Sequence, residues 1–184
     1  MDFNQYIDRA KHGDLLRFDL TAIIDSSCDF LGFMPSTPVP AEIGQLIDRL
    51  QLQPHPEGGF YRETWRSDLH LPQSVLPAGY LGDRAAGTSI LFLLPTGHCS
   101  RWHRVRSAEL WFHQAGDPLE LVMATTLAAA VPTTTIHLGR DETFQAIVSP
   151  NHWQRATPIS GAAGYALVAC VVVPGFDFAD FELS

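Results

Sequence analysis

The sequence contains little cysteine, almost no lysine and no long hydrophobic run. Its three cysteines lie far apart among 184 residues and form no C-x-x-C pair, which argues against a zinc or redox site built on thiols. No stretch approaches the roughly 20 consecutive apolar residues that a membrane-spanning helix needs. The first residues, MDFNQYIDRAKHGD, lack the basic start and apolar middle of a secretory signal, so we expect a cytoplasmic protein without a membrane partner.

Positive charge is scarce and unevenly placed. The formal net charge is −8, which disfavours nucleic acids and anionic membranes as partners. Lys11 is the only lysine, and residues 60–106 hold six arginines against three acidic residues. Because a guanidinium group binds carboxylates and phosphates through a planar fork, this cluster predicts a small anionic ligand. The alternative, that these arginines pair with acidic residues elsewhere on the protein, fits the pattern equally well.

The order of sequence patterns predicts one all-β domain preceded by a helix. In PAEIGQLIDRLQLQ, the residues Ile43, Leu46, Ile47 and Leu50 follow the i, i+3, i+4, i+7 spacing of a helix. From residue 60 onward, short β-like runs alternate with turn-forming residues. These runs are FYRETWRS, TSILFLLP, SRWHRV, ELWFHQ, LELVMAT, TTIHLG, FQAIVS and GYALVACVVV. Many short strands after one clear helix predict a β-sandwich or barrel.

The segment GHCSRWHRVRSAELWFHQAG, residues 97–116, carries the densest set of reactive side chains. Side chains alternate between the two faces of a strand, so His103 shares a face with Val105, and Glu109 lies on the next strand. A short turn between these strands lets His103 and Glu109 converge inside a barrel. We therefore expect the two side chains to lie close enough to hydrogen-bond.

The spacing of this segment resembles the first signature motif of the cupin superfamily, G-x5-H-x-H-x3/4-E-x6-G. The match falls on Gly97, His103, Glu109 and Gly116, whereas Val105 stands where the motif has its second metal-binding histidine. The resemblance implies a cupin double-stranded β-helix barrel of the jelly-roll type, with His103 and Glu109 in its pocket.

The second cupin motif has P-x-G followed three residues later by a histidine, and the resemblance aligns it with Ser149, Asn151 and Gln154. Asparagine tolerates the left-handed backbone that glycine would supply, so we expect the turn to persist. The metal-binding set that the resemblance implies is then reduced to His103, Glu109 and Gln154. We expect no required cofactor, and a divalent transition metal on these three residues is the alternative.

Longer segments resemble the cupin_5 group of this superfamily. They include HPEGGFYRETWRS, VSPNHWQRA and VACVVVPGFDFADFEL, and the resemblance covers residues 42–184. It implies one barrel domain with a small-molecule pocket, like that of the dTDP-sugar epimerases, and a homodimer. Residues 1–41 lie outside the resemblance, and we expect a short helical extension or arm that covers the barrel mouth or the dimer partner.

The candidate catalytic residues are His103, Glu109 and Tyr61. A carboxylate beside an imidazole raises the pKa of the imidazole and orients its tautomer, which suits a general base near neutral pH. The structural alternative is a pair that only ties two strands together. Tyr61 is predicted as an acid or as a stacking surface.

The candidate substrate-binding residues include two expected anion clamps, Arg62 and Arg101, and one hydroxyl donor, Ser100. Large aromatic side chains beside such a site mainly supply apolar contact, so two tryptophans are predicted as pocket wall and core. The full predicted set is Arg62, Glu63, Ser100, Arg101, Trp111, Trp153 and Gln154.

Together, these residues predict an enzyme that carries out acid–base chemistry on a small anionic substrate without a required metal. Epimerisation, isomerisation, dehydration and cyclisation all need a base, an acid and a dry cavity. Two alternatives stay open. One is a metal-dependent cupin of the dioxygenase type that uses His103 and Glu109, and the other is a binding protein without catalysis.

Overall fold

The structure is a computed structural model that describes residues 38–128, 133–139 and 143–184. Helix α1 spans Ala41–Leu50, and two short 3-10 helices span Gln73–Val75 and Phe178–Asp180. The strands are β1 (Gln53–Pro54), β2 (Phe60–Arg66), β3 (His70–Leu71), β4 (Arg84–Ala85), β5 (Thr88–Pro95), β6 (His103–Val105), β7 (Ala108–Gly116), β8 (Leu119–Ala124), β9 (Thr134–Leu138), β10 (Gln145–Val148), β11 (Trp153–Pro158), β12 (Tyr165–Val173) and β13 (Phe181–Leu183). All but the last four residues of the predicted N-terminal extension, residues 1–41, lie outside the described residues.

Two large antiparallel sheets form the body of the domain. The first has six strands in the order β1-β2-β5-β12-β7-β10, and the second has five in the order β13-β6-β11-β8-β9. A small two-stranded sheet pairs β3 with β4. The main core contains buried side chains from both large sheets, such as Phe92 and Val168 from the first and Leu121 and Ala156 from the second. The apolar faces of the two sheets therefore pack against each other, as the all-β prediction requires.

Helix α1 packs on the outer face of the six-stranded sheet. Ile43 is buried in a second cluster with Phe60, Leu93 and Leu167, and the other residues of the predicted helical stripe pack around it. The helix ends where Gln51 adopts a left-handed conformation with φ 55°. The helix lies where the sequence predicts it and buries the predicted face. Apolar residues three or four positions apart fall on one side of a helix that has 3.6 residues per turn.

The eight predicted β runs all contain strands, but β11 and the short strands β1, β3, β4 and β13 were missed. The sequence of β11, WQRATP, places a glutamine on its buried face, where an ordinary strand would carry an apolar residue. Gln154 is nevertheless fully buried, because its amide is hydrogen-bonded on both sides. A buried polar residue with two partners cannot be distinguished in sequence from a surface residue.

The turn between β10 and β11 adopts the backbone that the sequence predicts. Asn151 has φ 61°, in the left-handed region, and its N–H donates to the carbonyl of Val105 at 2.9 Å. This turn directs β11 back along β6, where Gln154 lies opposite His103.

Candidate active site

A cavity of about 410 Å³ lies between the two large sheets. The segment of residues 176–181, at the C-terminal end of the fold, forms one of its walls. The polar side chains that line the cavity are Gln53, His55, Glu57, Tyr61, Glu63, Arg66, Thr88, His103, Glu109, Cys170 and Asp177. The apolar lining consists of Ile90, Phe92, Val105, Trp111, Val172, Phe176, Phe178 and Phe181.

Five of the predicted site residues line this cavity. They are Tyr61, Glu63, His103, Glu109 and Trp111, which come from β2 and β7 of the six-stranded sheet and from β6 of the other sheet. The expectation that His103 and Glu109 face one compartment therefore agrees with the structure. The expectation that they form a hydrogen-bonded pair does not.

The carboxylate that contacts His103 is Glu57, a residue that the sequence did not single out. Its Oε2 lies 3.3 Å from His103 Nε2 and 3.2 Å from His55 Nδ1. Glu57 and His103 are 6% and 2% exposed, so water screens this contact only weakly. The structure thus corrects the predicted pairing, because the partner of the imidazole comes from the loop between β1 and β2 and not from β7.

Two glycines and a set of backbone hydrogen bonds place Glu57 in the cavity. The loop turns at residues 55–58, where the Gly58 N–H donates to the His55 carbonyl at 3.0 Å. Gly58 has φ 111°, and a side chain there would meet the Cys99 carbonyl oxygen at 2.5 Å. The Arg101 N–H donates to the carbonyl of Glu57 at 2.7 Å. This close approach to the segment before β6 holds the Glu57 side chain beside His103.

The hydrogen bond at the far side of the His103 ring decides its tautomer. Nδ1 lies 2.9 Å from the carbonyl oxygen of Arg101, which can only accept, so Nδ1 carries the proton. The Nε2 atom of the neutral ring then directs a lone pair toward Glu57 Oε2. Two acceptors that face each other across 3.3 Å form a site that a proton can occupy, because a proton between them converts repulsion into a hydrogen bond.

Burial lowers the pKa of His103, and the opposing effects of Glu57 and of the Arg101 carbonyl do not overcome it. For Glu57, burial alone would raise the pKa, but His103, His55 and Arg101 together bring it below its usual value. At neutral pH the imidazole is therefore neutral and Glu57 is a carboxylate. The pair is ready to accept one proton.

Glu109 is held by a chain of hydrogen bonds that starts at Trp111. The Trp111 indole N–H donates to Gln154 Oε1 at 3.0 Å, which turns the amide so that Gln154 Nε2 donates to Glu109 Oε2 at 2.5 Å. An indole N–H is only a donor, so the orientation of the amide follows from this contact. Gln154 is not part of the cavity lining, and it acts on the site through Glu109.

Glu109 is the second carboxyl group of the site, and its protonation state is opposite to that of Glu57. Burial, with the nearby charge of Glu57, raises the pKa of Glu109 to about 8, although Gln154 and the Cys170 thiol both hydrogen-bond to it. Burial also raises the pKa of Cys170 well above its usual value. At neutral pH Glu109 is mainly a neutral acid, and Cys170 is a neutral thiol.

The arginine that faces the cavity is Arg66, not Arg62. The register of β2 against β5 shifts between Glu63 and Trp65, so one extra residue reverses the alternation of side chains along β2. Glu63 and Arg66 consequently lie on the same face, where they form an ion pair with an N–O distance of 2.6 Å. Arg62 donates to Gln51 at 3.2 Å, away from the cavity lining.

The remaining predicted residues surround the cavity without lining it. Arg101 Nη2 donates to the Pro56 carbonyl at 2.8 Å and so supports the loop that carries Glu57. Ser100 is fully buried, and its Oγ accepts from the Ala156 N–H at 2.9 Å. Trp153 packs under the Arg104 guanidinium, 4.8 Å from its ring centre. These three predicted substrate contacts do not line the cavity, because strand alternation alone does not show which residues of a face reach it.

A buried ion pair anchors the aromatic wall formed by residues 176–181. Arg84 donates to both carboxylate oxygens of Asp180, at 2.7 and 3.0 Å, and both side chains are almost fully buried. Phe178 and Phe181 flank this anchor and make edge contacts with each other at 6.0 Å. The ion pair therefore fixes the position of the rings that close this side of the cavity.

The donor atoms near Glu109 do not fit the metal site that the cupin resemblance implies. Val105, at the place of the second histidine, presents only methyl groups, and the Gln154 oxygen is turned toward Trp111. Among the residues that the structure describes, no group of three or more His, Cys, Asp or Glu side chains is arranged to hold a metal ion. We therefore derive no chemical step through a metal.

The family comparison follows from this fold and this site. Residues 44–184 match the family described as Cupin superfamily (DUF985). The chain belongs to the cupin superfamily. This cupin is 34% identical to a hypothetical protein from Leishmania major, over 77% of this chain and 86% of the other, with a TM-score of 0.67. It is 35% identical to a crystallised protein from Shewanella oneidensis, over 76% and 82% of the two chains, with a TM-score of 0.62.

These relatives and the matched residues establish the cupin double-stranded β-helix fold, as the sequence predicted. No curated protein sequence matches the cupin. Within its described residues, no helix is long and apolar enough to span a membrane.

Sequence reasoning missed four kinds of cavity residue in this cupin: His55, Glu57, Cys170 and the aromatic wall. The available signal was HPEGG, a histidine and a glutamate followed by two glycines between short strands. Such a pair of glycines marks a close backbone approach, and side chains before it are candidates to enter a site. That segment contributes only to the family resemblance, and the sequence predicts no role for its histidine or glutamate.

Proposed function

We propose that this cupin is an enzyme that transfers protons on a small molecule, with His103 and Glu57 as the base and Glu109 as the acid. The observation that carries the proposal is that two buried carboxyl groups face one cavity in different surroundings, because Glu57 lies 3.3 Å from His103 Nε2 whereas Glu109 accepts a hydrogen bond from the neutral Gln154 amide. Environments that separate two pKa values in this way assign one group as acid and the other as base. Tyr61, whose pKa burial raises, keeps its proton and supplies a further hydrogen-bond donor.

The proposed step moves two protons on the bound molecule. His103 Nε2 takes a proton from a carbon of the substrate, and Glu57 stabilises the imidazolium that forms. Glu109 donates its proton to the oxygen of the adjacent substrate carbonyl, so the electron pair of the broken C–H bond ends in an enol. Return of a proton from the His103 imidazolium to the same or a neighbouring carbon gives an epimer or an isomer, and the enol proton returns to Glu109. In a substrate with a β-hydroxyl group, the imidazolium instead protonates that hydroxyl, which leaves as water and gives a dehydrated product.

The substrate of this reaction is a small molecule, in keeping with the size of the cavity. The predicted anionic substrate depended on Arg62 and Arg101, which do not line the cavity. Arg66, which does, is already paired with Glu63. The geometry therefore supports the predicted acid–base chemistry better than the predicted charge of the substrate.

Deuterium exchange into a neutral ketone tests the proposed proton transfer without knowledge of the natural substrate. The probe is 2-indanone in D2O at pH 7, followed by loss of its CH2 signal in NMR spectra. We expect the wild-type protein to accelerate exchange, and His103→Gln, Glu57→Gln and Glu109→Gln each to lose about 10²-fold of that acceleration. Glu182→Gln and His152→Gln, at exposed positions, are the matched controls.

The result that would overturn the proposal is exchange with the wild-type protein no faster than with His103→Gln. Binding of 2-indanone without exchange would identify a binding protein, which was the alternative prediction.

A further inference from the structure

The charged groups around the cavity are unequally distributed. Carboxyl groups of Glu57, Glu63, Glu109 and Asp177 face the cavity, whereas Arg66 supplies its only lining guanidinium among the described residues. Arg101 lies behind Glu57 and lowers its pKa, but its Nη2 is bonded to the Pro56 carbonyl. If Glu109 is left out as neutral, the carboxylates of Glu57, Glu63 and Asp177 still outnumber the guanidinium groups of Arg66 and Arg101.

The guanidinium of Arg66 is occupied by partners within the protein. Its Nε donates to Glu63 Oε1 at 2.9 Å and its Nη2 donates to Glu63 Oε2 at 2.6 Å. Both Nη atoms also donate to the Phe176 carbonyl at 3.3 Å. An anionic ligand would have to break this arrangement before it could bind to Arg66.

The inner part of the cavity offers acceptors to a ligand. Glu57 Oε2 and His103 Nε2 both face it, and each is almost fully buried. Because His103 is neutral, Arg101 is the charged neighbour of ionised Glu57, so a ligand cation placed here gains a strong contact in a region that water screens weakly.

The wall beside Glu57 suits the apolar body of an organic cation, because Phe181 lies 5.6 Å from the His103 ring and Phe178 lies 6.1 Å from the His55 ring. Phe176, Phe178 and Phe181 form a cluster with ring centres 4.9 to 6.0 Å apart, and all three line the cavity. The faces of aromatic rings attract cations and pack against apolar groups. Aromatic rings next to carboxylates are complementary to a small amine with a hydrocarbon part.

We infer that the ligand of this cavity carries a cationic nitrogen, as a primary or secondary ammonium group directed at Glu57, with an apolar part against the phenylalanine cluster. The inference rests on the proposed function only in taking this cavity as the ligand site. It names the substrate class of the proton-transfer reaction and reverses the anionic ligand that the arginine content predicted.

Three phenyl compounds of matched size and different charge test the inference. The probes are 2-phenylethylamine, 2-phenylethanol and phenylacetate, and the measurement is Kd by isothermal titration calorimetry at pH 7 and low salt. We expect the amine to bind at least tenfold more tightly than the alcohol, and phenylacetate to bind more weakly than both.

Variants locate the source of this preference. Glu57→Gln is expected to weaken binding of the amine at least tenfold while binding of the alcohol changes less than twofold. Arg66→Gln releases Glu63 and is expected to bind the amine as tightly as the wild-type protein or more tightly. Glu182→Gln, which removes an exposed carboxylate outside the cavity, is the matched control and should leave all three Kd values unchanged.

Tightest binding of phenylacetate, equal binding of amine and alcohol, or no binding of any probe would each overturn the inference. Because 2-indanone is neutral, its exchange is independent of ligand charge. Normal exchange together with a preference for phenylacetate would therefore overturn this inference alone, and absence of exchange together with a preference for the amine would overturn the proposed reaction alone.

Discussion

At the scale of single residues, the two carboxyl groups of the site differ because their neighbours differ. Glu57 lies between two imidazoles and close to Arg101, which together offset its burial. Glu109 lies beside Trp111 and Cys170 and receives only neutral donors, which do not offset burial. Burial is common to both, so the sign of each pKa shift follows from the charge of the nearest partners.

The first prediction concerns the pH dependence of catalysed exchange. Protonation of His103 removes the base, and its lowered pKa places the acid limb of the rate profile below pH 6.5. Ionisation of Glu109 removes the acid, so the rate should also fall above a pH of about 8. The exchange rate of 2-indanone, measured from pH 5 to 10 and corrected for the uncatalysed reaction, should follow a bell-shaped curve. A rate that continues to rise above pH 9 would contradict the role of Glu109.

The second prediction concerns stability. The pKa of Glu109 is about 8 in the folded state, against an ordinary value of 4.5. Between these two pH values the folded protein keeps a proton on Glu109 that the unfolded chain has lost. Its contribution to the free energy of unfolding therefore falls as pH rises, by up to about 1.4 kcal/mol per pH unit. Glu109→Gln should remove this slope.

The difference in slope between the variants from pH 7 to 8 isolates this effect, because the titration of His103, at a lowered pKa in the folded state and near 6.5 in the unfolded chain, is common to all of them. Urea unfolding of the wild-type protein, Glu109→Gln and the control Glu120→Gln gives the three slopes. Equal slopes for wild type and Glu109→Gln would show that Glu109 is ionised throughout.

For several residues the predicted position agrees with the structure because local rules apply to them, and their functional roles stay predictions. His103, Glu109 and Trp111 follow from strand alternation near one turn, and Asn151 follows from its tolerance of a left-handed backbone. Glu57 could not be found in this way. Its contact with His103 joins positions 46 residues apart that belong to a loop and a strand of different sheets, and no spacing rule connects them.

At the scale of elements, the bulge in β2 and the segment of residues 176–181 decide which side chains enter the cavity. Alternation predicted Tyr61 and Glu63 on one face, which agrees with the structure, and the shift before Trp65 then brings Arg66 to that face. A single inserted residue leaves no signature in the pattern FYRETWR. Strand positions were therefore predictable, and side-chain direction after the bulge was not.

The third prediction tests the anchor of the aromatic wall. Asp180→Asn leaves the buried Arg84 guanidinium without its carboxylate and should lower the free energy of unfolding by about 3–5 kcal/mol. Because Phe178 and Phe181 flank Asp180, binding of 2-phenylethylamine should weaken as well. Urea unfolding and calorimetry measure the two effects.

The matched control for Asp180→Asn is Glu182→Gln, which breaks the exposed ion pair with Arg104. It should change the free energy of unfolding by less than about 1 kcal/mol. If the two variants lost equal stability, the Arg84–Asp180 pair would have no special role in holding this segment.

At the scale of the whole molecule, an apolar row crosses the outer face of the six-stranded sheet. Trp65 lies opposite Ser89, Val171 lies opposite both Ser89 and Leu110, and Ile147 lies opposite Leu110. Trp65 and Ile147 are 53% and 58% exposed, although both are large apolar side chains. Ser89 is the one polar member of this row, and large exposed apolar side chains grouped in this way mark an interaction surface.

The fourth prediction is therefore that the homodimer expected from the cupin_5 resemblance forms through this face. Sedimentation equilibrium should give twice the chain mass of 20.3 kDa for the wild-type protein and a single chain mass for Ile147→Glu. Val75→Glu, at an equally exposed position outside the row, is the control. A monomeric wild-type protein, or a dimeric Ile147→Glu variant, would contradict this prediction.

The cavity collects residues from Gln53 to Phe181, almost the full span of the described chain. During synthesis on the ribosome, His55, Glu57 and His103 emerge long before the phenylalanine cluster of residues 176–181 that packs beside them. A ligand therefore has no complete place to bind until the final strand has been made. Small molecules that fit the cavity can rescue a damaged variant only after translation of the domain is finished, by holding a completed chain in its native form.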